Sequence, residues 1–193
     1  MRKIPPRIVG SLVGFVALLG ASSAFAEPCE KEDNAERCDE YETYAMPGGQ
    51  FMFYKPSGIA SPYLGGGFRL DIVRWSHHNE DFGPGEGSLY FQASLLQSKS
   101  SEHLMGIYEG GLNLSFERNP KRRYLIPYFG FSTGGMFADD LPKGGFFQPN
   151  LGIQLYSHPN VVADVQGGYM FPTDAVDKLH GFRAQASIRF HAW

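Results

Sequence analysis

Residues Phe182–Trp193 read F-R-A-Q-A-S-I-R-F-H-A-W. Phe182, Ala184, Ala186, Ile188, Phe190 and Ala192 occupy one phase of this stretch, and Arg183, Gln185, Ser187, Arg189 and His191 the other. A β-strand sends alternate side chains to opposite faces, so one face here is wholly apolar and the other wholly polar. Such a strand separates an apolar medium from a polar one.

The opposite end of the chain names the compartment. Arg2, Lys3 and Arg7 precede an uncharged run, Ile8 to Leu19, and Ala24-Phe25-Ala26 forms an A-x-A site, the layout of a secretory signal peptide over residues 1–26. Cleavage before Glu27 leaves 167 residues, enough for one domain with one closed sheet, and takes the formal net charge from −3 to −6. Much of that charge is local. Residues 27–42 carry eight acids against Lys31 and Arg37, whereas residues 43–193 balance at twelve acids and twelve bases. The chain therefore lacks the basic patch of a nucleic-acid binder. Cys29 and Cys38 both sit in the acidic segment, 27–48, and an oxidising compartment favours a disulfide between them. Two thiols without a nearby His make a poor zinc site, and no metal or cofactor is expected.

From residue 49 onward no amphipathic helix is evident. Alternating segments separated by Gly, Pro, Asn, Asp and Ser give eight strands, near 49–55, 63–75, 87–97, 104–116, 123–134, 145–156, 161–171 and 181–192. Most reach the ~9–11 residues that a tilted strand needs to cross a bilayer. The expected fold is all-β, a single antiparallel up-and-down transmembrane barrel over residues 49–193. From residue 87 onward the mid-strand charges Glu109, Asp164, Arg183 and Arg189 all fall in the polar phase. Arg74 falls in the apolar phase of the second strand and is expected to snorkel at the membrane boundary. Pro127 and Pro149 lie inside predicted strands, where a missing N–H must be accommodated at a rim or bulge.

Alternation alone does not decide which face meets water, because a soluble ligand-binding barrel shares the period. Lys99, Lys121, Lys143 and Lys178 all fall in predicted turns, while the polar phase consists of Gly, Ser, Asn, Gln and a few Asp, Glu and Arg. A water-facing sheet carries scattered Lys and Glu. The apolar face is thus assigned to lipid. Trp75, Phe116, Tyr124, Phe137, Phe146, Tyr156, Phe171, Phe182 and Phe190 are expected near strand ends, as in membrane girdles.

Signal peptide, eight alternating strands, polar lumen and aromatic closing strand together resemble the small eight-stranded outer-membrane proteins of Gram-negative bacteria, the group of the OmpA membrane domain, OmpX and OmpW. The resemblance is one of pattern and covers about 49–193. It implies an outer-membrane location, lipid as the surrounding partner, and an assembly machinery that reads a terminal aromatic residue in phase with the lipid-facing positions. Phe190 is in phase and Trp193 is not. Either the signal ends at Phe190, or a bulge realigns the tip.

An eight-stranded interior is just wide enough to be filled by side chains, so charges inside it must be paired. A turn centred near Val176 and Asp177 would set Asp164 opposite Arg189 and Gln166 opposite Ser187. Arg183 and Arg189 are then expected to form a lumen network with Asp164, Glu109 and Asp71. Periplasmic termini would make the connections near 56–62, 98–103, 135–144 and 172–180 extracellular, and any ligand, unnamed by the sequence, would meet those loops. The connection 76–86 is long for a periplasmic turn.

For catalysis the sequence offers Ser101-Glu102-His103, and Asp139 and Asp140 with Asp177 and His180 on one rim, loosely like the acid and His pairs of barrel proteases. His77, His78, Glu80 and Asp81 form a solvated turn rather than a metal site. The reading is a non-enzymatic outer-membrane barrel with a structural, surface-interaction or small-solute role. Its rivals are a barrel enzyme acting on membrane lipid or peptides and a secreted lipocalin-like barrel.

Overall fold

Alternation becomes curvature when each strand must bury one face and expose the other: the sheet rolls until its first strand meets its last. In a computed structural model, which describes residues 42–79, 83–100, 103–117, 122–138 and 141–191, it closes. The strands are β1 (Glu42–Pro56), β2 (Tyr63–Asn79), β3 (Gly83–Ser98), β4 (Leu104–Ser115), β5 (Ile126–Ala138), β6 (Leu141–His158), β7 (Val161–Pro172) and β8 (Gly181–Phe190), with one helical turn, α1 (Val176–Leu179), before the last. Neighbours in sequence are neighbours in space, every pairing is antiparallel, and β1 pairs with β8 to complete an up-and-down barrel. Closure leaves no long open edge.

The faces follow the sequence phase. In β8, Gly181, Arg183, Gln185, Ser187 and Arg189 are buried, while Phe182, Ile188 and Phe190 are exposed. In the first half of β5, Ile126, Tyr128 and Ser132 face in and Phe129 and Phe131 face out. Glycines make room for large neighbours across the wall. A Cβ on Gly106 would fall within 2.1 Å of the Phe137 ring, which lies over it, and one on Gly48 would meet the Ile188 carbonyl oxygen at 2.1 Å as well as Arg189 Cγ at 2.7 Å.

Several sequence expectations are corrected. β1 begins at Glu42 instead of 49, inside the acidic segment, and pairs with β2 from its first residue. The long connection 76–86 is mostly hairpin, because β2 runs to Asn79 and β3 starts at Gly83. Lys143 belongs to β6 rather than to a turn. Arg74 does not snorkel. A bulge between Asp71 and Val73 turns Ile72 outward and shifts the phase by one, so Arg74 points into the lumen and is 1% exposed. Phe146 likewise is no girdle residue: it is 2% exposed inside the barrel, and its neighbour Phe147 takes the outer face.

The β7–β8 register also differs from expectation. Asp164 pairs with Ser187, Gln166 with Gln185 and Val162 with Arg189, a shift of two residues. Phe171 and Pro172 pair only with β6, so β7 outruns its partner before the α1 turn. An even shift preserves every face. Both prolines sit on the outer face: Pro127 is the second residue of β5, and at Pro149 the β6–β7 ladder is interrupted, where no N–H is available.

Candidate functional site

The interior divides along its length. At the end closed by the β1–β2, β3–β4 and β7–β8 connections, the inward residues are apolar: Met52, Tyr54, Tyr63, Leu96, Met105, Ile107, Met136, Phe146, Met170 and Leu179 form one buried cluster. The expectation of a polar lumen therefore fails for this part. α1 supplies the stopper. Ala175 enters the turn in the left-handed region, Leu179 drops into the cluster, and its carbonyl accepts a hydrogen bond from the Tyr54 hydroxyl. The connection is tied to the β1–β2 turn by Ser57 N–H to His180 O at 2.7 Å and Gly58 N–H to Lys178 O at 3.2 Å.

Below the stopper lie three tiers of paired charge. In the first, Arg183 grips Glu109 with both terminal nitrogens, one at 2.6 Å, and Gln92 donates to the same carboxylate while bonding Gln185 at 2.9 Å. The second joins two arginines and two aspartates. Arg69 Nε meets Asp71 Oδ1 at 3.0 Å, Arg189 Nε lies 3.2 Å from Asp71 Oδ2, and Arg189 also holds Asp164, which accepts from Ser187 at 2.8 Å. The Arg69 guanidinium stacks 3.9 Å from the centre of the Tyr90 ring. The third tier, nearest the start of β1 and the end of β8, has Arg74 donating to Glu86 at 2.7 Å, to the His158 carbonyl at 2.9 Å, and to Ser157.

Among the described residues each tier pairs its charges, with one, two and one pairs of opposite charge. The physical reason is the surroundings. Arg69, Arg74, Arg183 and Arg189 are at most 2% exposed, and an unpaired charge so placed would cost far more than one in water. On the inner face of β6, Gln148 and Asn150 have buried polar atoms without protein partners. Groups of that kind are satisfied by ordered water.

Asp71, Glu109, Asp164, Arg183 and Arg189 thus all point inward, Arg183 with Glu109 and the other three together. Sequence reasoning missed Arg69, Arg74 and Glu86. Arg69 was legible, since it stands two residues before Asp71 and so on the same face; Arg74 was hidden by the bulge. Phe190 is half exposed on the outer face. Residues 1–26, Cys29, Cys38 and Trp193 lie outside the described residues, as do Glu80, Asp81, Ser101, Glu102, Asp139 and Asp140. Of the rim candidates for catalysis that are described, His180 is hydrogen-bonded to the Tyr169 hydroxyl and Asp177 is exposed on α1. Among the described residues no three His, Cys, Asp or Glu side chains are grouped as metal ligands.

No family model matches the chain, and no curated protein matches it. Among solved structures, it is similar to Ail, the attachment invasion locus protein of Yersinia pestis, with 15% sequence identity, a TM-score of 0.46, and coverage of 77% of this chain and 97% of that one.

Proposed function

We propose that this chain is a non-catalytic integral barrel of a bacterial outer membrane, in which the lumen is a packed structural core and interaction with the surroundings falls to the loops. One observation carries the reading: the distribution of side chains is inside-out. Four arginines are fully buried, while Phe51, Phe91, Leu95, Phe131, Leu151, Ile153, Val165 and Ile188 ring the outer wall with exposures of 38–71%. A water-soluble barrel would place these residues the other way round. Eight strands of ten to eighteen residues also match the span of a tilted membrane strand.

The apolar stopper and the paired tiers favour a structural core over a solute path. A conducting pore would have to part Leu179 from the Met-rich cluster and separate Arg183 from Glu109 in the same event. The experiment joins two readouts. The protein should require detergent for extraction and should migrate faster unboiled than boiled; reconstituted in liposomes, it should leave them impermeable to small sugars. Solubility without detergent would end the membrane reading, and rapid liposome swelling would replace the closed core with a channel.

A further inference from the structure

The segment before β5 turns two consecutive large side chains outward. Tyr124 is 63% exposed and Leu125 57%, and Leu125 has φ of 55°, in the left-handed region that residues with a Cβ rarely adopt. Arg122 holds this conformation in place. Its Nε donates to the Tyr124 carbonyl at 2.9 Å, one Nη to the Leu125 carbonyl at 2.7 Å, and the other Nη to Glu117 at 2.8 Å. A further bond, from Ser157 N–H to the Arg123 carbonyl at 2.8 Å, ties the segment to β6. Two of the three guanidinium nitrogens of Arg122 thus fix the backbone carbonyls of the two outward-turned residues, and the third anchors the guanidinium to Glu117.

We propose that Tyr124 and Leu125 form a pinned hook that enters the phospholipid leaflet at the end of the barrel where β1 starts and β8 ends, fixing the depth at which the barrel sits. The inference rests on the membrane reading above. Lipid is favoured over a protein partner by continuity with the outer wall. Tyr124 packs 5.3 Å from Tyr156, the neighbouring Phe116 and Phe129 stack at 5.6 Å, and these rings run into the apolar band of β4 and β5. A Tyr–Leu pair combines a polar tip, suited to the headgroup boundary, with an aliphatic group for the acyl region below it. Arg123, beside them, makes no side-chain hydrogen bond among the described residues and is placed to meet a lipid phosphate.

The test uses the full chain refolded into phosphatidylcholine vesicles brominated either near the glycerol or near the chain end. Leu125→Trp, with Tyr124→Trp as a second probe, is read as the emission difference from the parent, and Leu151→Trp serves as a mid-wall control. The hook predicts blue-shifted emission at 125, quenched mainly by shallow bromine, and quenching at 151 mainly by deep bromine. Adding Arg122→Gln should reduce quenching at 125 and leave 151 unchanged. If 151 is not quenched and unboiled migration is normal for a soluble protein, the membrane reading itself fails. Quenching at 151 with water-like emission at both 124 and 125 would overturn the hook and leave that surface to a protein partner. Undiminished quenching at 125 after Arg122→Gln would remove the pin from the proposal.

Discussion

The two halves of the lumen sit behind the same apolar wall yet are held together differently. Toward α1, ten buried residues share many small contacts, four of them methionines that adapt to gaps. Toward the start of β1, the interior is held by a few charge pairs, some between near neighbours such as Arg69 and Asp71 and others across the chain, as Glu109 and Arg183 are, 74 residues apart. The first half should yield gradually when trimmed. The second should fail abruptly when one partner is lost, because the survivor remains buried and unpaired.

The sharpest break in that comparison is Glu109→Ala. It strands Arg183, which has no exit to solvent, and should cost about 3–5 kcal/mol by reversible urea unfolding in vesicles. The matched pair Glu109→Leu with Arg183→Met should return most of the loss, since an apolar pair of similar volume is often neutral. A single variant that costs under about 1 kcal/mol would mean that water reaches this tier.

In the apolar half, Met105→Ala should cost on the order of 2–5 kcal/mol, toward the lower part of that range because Met52, Met136 and Met170 can repack into the space. Met105→Leu should change stability by less than about 1.5 kcal/mol. A loss for Met105→Leu as large as that for Glu109→Ala would erase the distinction between the halves.

How far the sequence foretold this contrast depends on what period 2 encodes. It states the face of each residue, so Asp71, Glu109, Asp164, Arg183 and Arg189 could be assigned inward and the eight strands found. It says nothing about height along the barrel. The inward Met52, Met105, Met136 and Met170 carry the same phase as inward Gln50 and Glu109, and only the pairing register shows that they gather under α1. Nor does period 2 survive a bulge. Ile72 and Val73 stand together between Asp71 and Arg74, and two adjacent outward residues between two inward charges are the trace of that bulge, visible once the register is known. The two-residue shift between β7 and β8 was invisible for a related reason: it leaves every face unchanged, and the long Arg189 side chain still reaches Asp164 diagonally.

The smallest expected effect lies where the apolar half meets the outside. Tyr54 is fully buried, and its hydroxyl is bonded to the Leu179 carbonyl, so it is a buried polar link between the barrel wall and the stopper. Tyr54→Phe keeps the ring and the packing but leaves that carbonyl without its donor, a loss of about 0.5–1.5 kcal/mol. That penalty should not appear as a comparable change in global unfolding. The α1 connection is joined to the wall by a few backbone bonds, by the side chains of His180 and Thr173, and by one buried apolar side chain, so its local opening is the easier event and the substitution should act there first. Hydrogen exchange at Leu179 and His180 should speed up by about fivefold or more, while amides of β4 and β8 beside the Glu109–Arg183 tier stay protected as before. Equal acceleration at both sites would show that stopper and tiers open as one unit, and the two halves of the lumen would then be a single cooperative core.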